Sequence, residues 1–179
     1  QNGAPVQNLL PDVVAGTVIG NPRPAKDRCS PASTNRIVMN DANMNIGDLL
    51  NAKHITWGWF NGGFRTADGS DPCAAFHNGS NGQKQLDYIP HHQPFQYYPR
   101  TANGDHVPPS SLEMIGLDDQ AHHQYDLDLD FWPAAESGRL PAVSFIKAPA
   151  YLEGHNRYSD ALAEQRFLVE TINRLQRLR

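Results

Sequence analysis

Several features that mark other protein classes are missing from this sequence. No apolar run reaches the ~18 residues that a membrane span requires, so we expect no membrane-spanning helix. Residues 1–20 contain neither the charged start nor the long apolar stretch of a signal peptide. The net charge is −4, which offers no basic field for an anionic polymer, and we therefore expect no nucleic-acid partner.

Cysteine is also scarce, and its two copies fit neither a CxxC redox pair nor a four-ligand zinc set. Cys29 and Cys73 both lie in loop-like sequence. A disulfide between them would close about 45 residues and contribute ~4 kcal/mol in the chain-entropy model. Such a bond predicts a secreted or periplasmic protein. The alternative is two unrelated free thiols.

The common catalytic signatures are absent as well. The chain has no GxSxG elbow, no GxxxxGK[ST] phosphate loop, no GxGxxG fingerprint and no HExxH zinc motif. Serine and threonine are present, but none lies in a recognisable nucleophile setting. A complete Ser-His-Asp arrangement is therefore not expected within these residues.

Glycine and proline, in contrast, are abundant, with 14 copies of each, and they indicate much irregular structure. Turn-forming residues dominate 61–120, which we interpret as a loop-rich insertion whose aromatic content argues against disorder. Before it, 13–20 is a short β candidate, and 45–53 is predicted as a helix capped by Asn45. Residues 54–60 alternate large and small side chains, as a half-buried strand does.

Regular structure returns near residue 127. A helix is predicted to begin there and to end at Gly138. The apolar run 141–149 is typical of a buried central strand. Residues 159–178 form the clearest helix, with Leu168, Ile172 and Leu175 expected on its buried face. Helix, strand and helix in succession over 127–179 predict an α/β core, although too few strands are found to complete a sheet.

Histidines are the main candidate functional residues. His91 and His92 lie between two prolines that stiffen the segment, which suits a preorganised site. On an extended segment they would point to opposite sides, so joint metal binding is disfavoured, and a phosphate or substrate contact competes with a purely structural loop. His155 follows the predicted strand and precedes the long helix, where open α/β sheets bind ligands and where helix N–H groups favour anions.

A second cluster offers weaker metal candidates. Asp118 and Asp119 precede His122 and His123, and carboxylate with imidazole is a plausible ligand set for a divalent ion. The same stretch also fits a solvated loop. The aromatic runs at 56–60 and 94–98 either line a sugar or lipid pocket or form the core of the loop-rich region.

Three long stretches resemble a known family. They are "NIGDLLNAKHITWGWFNGGF" (45–64), "DYIPHHQPFQYY" (87–98) and the segment from His122 to Gln176. They are similar to the bacterial phosphoesterase family, which contains non-haemolytic phospholipases C and secreted acid phosphatases. The resemblance extends from about residue 16 to the end of the chain.

The resemblance implies part of an alkaline-phosphatase-like α/β/α sandwich and hydrolysis of phosphate mono- or diesters by a Ser or Thr nucleophile at a divalent metal ion. Carried over by motif, the phosphate contacts fall on His92 or His91 and on His155. The substrate would be a phospholipid or a small phosphomonoester.

The sequence also lacks two parts of the family pattern. The acidic motif and nucleophile expected upstream, and the metal-binding aspartates expected downstream, have no counterpart here. We therefore expect residues 1–179 to be one partial phosphoesterase domain that needs the remaining segments of the same enzyme. Alone it should hold no metal and be inactive. The alternative is a noncatalytic module that binds a carbohydrate or a protein through its aromatic loops.

Overall fold

The computed structural model describes residues 21–80 and 82–178. The β candidate at 13–20 lies outside these residues. The strands are β1 (Arg23–Pro24), β2 (Arg36–Ile37), β3 (Trp57–Asn61), β4 (Phe76–Asn78), β5 (Lys84–Leu86), β6 (Gln124–Asp126) and β7 (Val143–Lys147). The α-helices are α1 (Ile46–Ala52), α2 (Trp132–Glu136) and α3 (Ala161–Arg177).

A three-stranded parallel sheet with the order β6-β3-β7 forms the centre of the fold. β3 is the middle strand, and Trp57 and Phe60 on it are fully buried. The half-buried strand predicted at 54–60 is thus a central strand that begins at residue 57. β7 was predicted to be central, but it pairs with β3 alone in the described part of the chain and is half-buried throughout. The mixed α/β class is confirmed, with a sheet that stays incomplete.

α1 confirms the predicted helix and its cap. The Asn45 side chain accepts hydrogen bonds from the N–H groups of Gly47 and Asp48, and the Asp48 carboxylate accepts from the Asn45 N–H. The buried face of α1 is the one that contains Gly47. A Cβ at Gly47 would lie 2.2 Å from the Trp57 ring. Close contact with Trp57 thus decides the orientation of α1.

The segment predicted as one helix over 127–138 has two parts. A π-helical turn (Leu127–Phe131) comes first, and α2 follows with its first turn at Pro133. The Asp126 carboxylate accepts from the N–H groups of Asp128 and Leu129 and so caps the turn. Gly138 ends the segment with φ +69°. The main apolar core consists of Phe60, Ile115, Ala121, Tyr125, Leu127, Phe131, Trp132, Ala134 and Ala135.

α3 is capped by Asp160, whose carboxylate accepts from the Ala163 N–H. Phe167 and Leu175 pack against the core, with Thr171 buried between them. The apolar face predicted through Leu168 and Ile172 is wrong by one position, since both side chains are exposed.

No helix among residues 21–80 and 82–178 is long and apolar enough to cross a membrane.

The long region of turns after β3 is held by a disulfide and by buried polar contacts. The predicted disulfide between Cys29 and Cys73 is present. Next to it the buried Asp27 carboxylate accepts hydrogen bonds from Tyr88 (2.5 Å) and Gln96 (2.9 Å). His106 contacts the other oxygen of Asp27 at 3.3 Å. These contacts order a segment in which the described residues form no strands except the short hairpin β4–β5.

Candidate functional site

His91 and His92 lie on a 3₁₀ turn, Pro90–His92, rather than on an extended segment. Pro90 opens the turn, and a second turn, Pro94–Tyr97, follows directly. The helical turn brings the two rings edge to face with their centroids 4.4 Å apart. Both rings therefore line the same cavity, contrary to the prediction that they point to opposite sides.

His155 reaches this pair from the connection between β7 and α3. Its ring centroid lies 5.3 Å from that of His92, and Tyr158 lies 4.8 Å from His155 and 5.5 Å from His92. Gly154, with φ +74°, turns the chain just before His155. The structure thus brings together the three histidines that the sequence singled out, from segments more than sixty residues apart.

His92 contacts an ion pair that Glu153 forms with Lys147. Nδ1 of His92 lies 3.1 Å from Oε2 of Glu153, and Nζ of Lys147 donates to the same oxygen. Burial raises the pKa of Glu153, but the hydrogen bond from His92 and the charge of Lys147 outweigh it, and the net pKa is below the ordinary value. Glu153 is therefore an ionised carboxylate between two nitrogen donors.

His91 has a different electrostatic environment. Burial lowers its pKa to about 4, and charges on His92 and Arg23 act in the same direction. Its Nδ1 is buried and has no hydrogen-bond partner among the described residues. His91 is therefore a neutral imidazole at neutral pH, beside a histidine that contacts a carboxylate.

The cavity lined by His91 and His92 has a volume of about 580 Å³. Its walls are mainly apolar and aromatic, and Lys147 is the cationic side chain among the lining residues. The aromatic runs of the sequence are divided between core and cavity. Trp57, Phe60 and Phe95 are buried in the core, whereas the cavity is lined by Trp59, Tyr97 and Tyr98.

The weaker metal candidates do not converge. His123 is buried, its ring stacks on Trp57 with a centroid distance of 4.3 Å, and its Nδ1 donates to the Trp57 carbonyl. Asp119 accepts from the backbone of Ser110 and stabilises its own loop. Asp118 is exposed and lies 4.0 Å from His122. The four side chains therefore form a loop structure rather than a shared ligand set.

Asp27, Cys29 and His106 are the one group in the described chain whose potential ligand atoms gather within 4.8 Å. Their chemistry does not fit a metal ion. The sulfur of Cys29 is bonded to Cys73, so it is not a thiolate, and Asp27 already accepts several hydrogen bonds. We interpret this group as part of the packing around the disulfide.

Lys147, Glu153 and Tyr158 were not identified from the sequence. A signal was present for two of them. Lys147 ends an apolar strand, where a polar residue at the carboxyl end is a ligand candidate, and Glu153 lies two residues before His155. Their contacts with His92 depend on tertiary structure, which no local pattern contains.

Comparison with known proteins gives one result. No curated protein matches the chain. The sequence model of the Phosphoesterase family, however, matches residues 13–178, which is nearly the whole sequence. The motifs at 45–64 and 87–98 and the segment that begins at His122 all fall inside this match. The chain therefore belongs to the Phosphoesterase family.

Proposed function

We propose that His92 and His155 bind the phosphoryl group of a phosphate ester during its hydrolysis. The observation that carries the proposal is the 5.3 Å separation of their ring centroids. Ring N–H groups at this spacing can donate to two oxygens of one phosphate. Lys147 adds a positive charge at the cavity wall. Such donors stabilise the charge that develops on phosphoryl oxygens.

The nucleophile and metal ion of this reaction come, in our proposal, from polypeptide beyond these 179 residues. The family resemblance implies a Ser or Thr nucleophile held by a divalent cation. No described side chains around His92 and His155 form a metal ligand set. These histidines would then supply phosphate contacts, while the remaining segments of the same enzyme supply the attacking oxygen and the metal aspartates.

The shape and chemistry of the cavity favour an ester with an apolar alcohol. Trp59, Tyr97, Tyr98 and Met39 border His91 and His92 and provide a surface for an alkyl or aromatic group. A phospholipase C type of diester has such a group, whereas a small polar phosphomonoester would leave this surface uncovered. We therefore rank phospholipid-like diesters above small phosphomonoesters as substrates. The disulfide favours a secreted or periplasmic location.

Inorganic phosphate binding tests the proposal directly. Phosphate titration followed by side-chain NMR should shift the His92 and His155 signals together, and His155→Asn should weaken binding about tenfold. His54→Asn is the matched control, since His54 is exposed, precedes the start of β3 and has φ 55°, which Asn tolerates. Absence of phosphate binding, or equal effects of the two variants, contradicts the proposal.

Turnover gives a second test. The purified chain with a divalent metal should not hydrolyse a chromogenic phosphate diester. Substantial turnover that His155→Asn abolishes would show that the nucleophile lies within these residues after all.

Binding of a glycan is the second candidate function, and the aromatic side chains that border the cavity support it. Trp59, Tyr97 and Tyr98 would stack on sugar rings. Glycan binding without phosphate binding would favour a noncatalytic module over the phosphoesterase site.

A further inference from the structure

Glu153 contacts the histidine cluster through His92, and it is not among the residues that line the cavity. Its side chain is 5% exposed, and its Oε2 accepts from His92 and from Lys147. Its Oε1 is buried without a hydrogen-bond partner in the described residues. Burial of an ionised carboxylate costs free energy unless oppositely charged or hydrogen-bonding partners are held in place. The contacts with His92 and Lys147 offset this cost for Glu153.

The contact with His92 determines where the proton of the imidazole lies. A carboxylate oxygen can only accept, so the 3.1 Å contact requires a proton on Nδ1 of His92. In the neutral ring, Nε2 then has the free lone pair, and in the charged ring Nε2–H is the free donor. Lys147 donates to the same oxygen, so the single negative charge of Glu153 interacts with two nitrogen donors.

Other groups around His92 do not supply this restraint. His91 meets its ring edge to face at 4.4 Å, and His155 and Tyr158 approach it at 5.3 and 5.5 Å. None of these three has a hydrogen bond to His92 in the structure. Two cationic or potentially cationic groups, Lys147 and His92, would face each other without compensation if Glu153 were neutral.

We propose that Glu153 is a positioning residue, which holds Nδ1 of His92 protonated. Nε2 is then the ring nitrogen left for the ligand, and it donates to a phosphoryl oxygen when the ring is charged. The role of the free nitrogen rests on the proposed phosphate site, whereas the fixed tautomer does not. The arrangement parallels metal-bound histidines whose second nitrogen donates to a carboxylate, where loss of that carboxylate costs about 10–100-fold in affinity or activity.

Long-range ¹H–¹⁵N correlation spectra of the histidine side chains test this inference. In the wild-type chain, neutral His92 should show the Nδ1–H tautomer. In Glu153→Gln the ring should populate both tautomers, and inorganic phosphate affinity should fall about tenfold. Glu113→Gln, at an exposed carboxylate on the surface, is the matched control and should change neither signal. Glu153→Asp should restore part of the Nδ1–H preference.

The outcomes separate the two proposals. An Nδ1–H tautomer that depends on Glu153, in a chain that binds no phosphate, supports the positioning role and rejects the phosphate site. An Nε2–H tautomer in the wild-type chain overturns the positioning role, and this measurement requires no variant to fold. Unchanged tautomer and affinity in a folded Glu153→Gln variant would also overturn it.

Discussion

Asp126, at the end of β6, allows a quantitative test of the electrostatics of the core. The residue is 1% exposed, and burial raises the pKa of its carboxyl to about 6. Hydrogen bonds from the N–H groups of Arg65, Leu129 and Asp128 oppose this rise without cancelling it. The native structure thus holds a carboxylate whose ionisation is unfavourable at mildly acidic pH.

The size and sign of the effect follow from the two pKa values. An Asp in the unfolded chain titrates near 3.9, so the difference is about 2 units and corresponds to about 3 kcal/mol. Because the folded pKa is the higher one, the native state binds more protons than the unfolded state between these values. The contribution of Asp126 to the free energy of unfolding is therefore greatest below about pH 4 and is lost as pH rises through about 6.

Urea unfolding of the wild type and of Asp126→Asn, measured from about pH 4 to about pH 8, isolates this group. Subtraction removes the titrations that both proteins share. We expect the wild-type free energy of unfolding, relative to the variant, to fall by about 2.5 kcal/mol across this range, since the unfolded Asp is already partly ionised at pH 4. The variant keeps one of the two acceptor oxygens, so either the Arg65 N–H or the N–H groups of Asp128 and Leu129 lose their acceptor. This cost is the same at each pH. Parallel stability profiles of the two proteins, or a relative stability that rises with pH, would show that the pKa of Asp126 is not raised in the native state.

Three further predictions concern covalent structure, packing and surface. Replacing Cys29 and Cys73 by Ser should lower the free energy of unfolding by about 4 kcal/mol in urea titrations, and a loss below about 1 kcal/mol would contradict the chain-entropy argument. Gly62→Ala places a Cβ 2.5 Å from the backbone nitrogen of Pro149, so thermal unfolding should report a loss of about 1–3 kcal/mol, which an unchanged Tm would contradict. Ile172→Gln should change stability by less than about 0.5 kcal/mol, because Ile172 is 53% exposed; a larger loss in urea would mean that this face of α3 is packed.

Local chemistry explains which elements the sequence could predict. Asn45 and Asp160 cap α1 and α3 as expected because capping depends on side chains within three residues of the helix start. Gly138 ends its helical segment for a similarly local reason, its left-handed φ. The disulfide was a correct prediction that rested on cysteine count and sequence context rather than on geometry.

Two of the errors concern contacts between distant segments, and a third concerns local backbone conformation. The strand at β7 was predicted to be central because its run is continuously apolar, but the number of partners of a strand depends on the whole sheet. The buried face of α3 runs through Phe167 and Thr171, since Phe167 fits against the core while Leu168 does not. The histidine pair was placed on an extended segment, although Pro90 at the first position favours a helical turn equally well.

The parallel register of the sheet explains why the imidazoles meet at all. β3 and β7 are paired so that Asn61 lies opposite Lys147, and both strands end at the same end of the sheet. The chain that leaves β3 returns to this end at His92, and the chain that leaves β7 passes through Glu153. A separation of 61 residues thus closes to a contact of 3.1 Å. A one-residue slip of β7 would move Lys147 to the opposite face of the sheet and remove a partner of Glu153, so the orientation of His92 depends on a register that is fixed by the core.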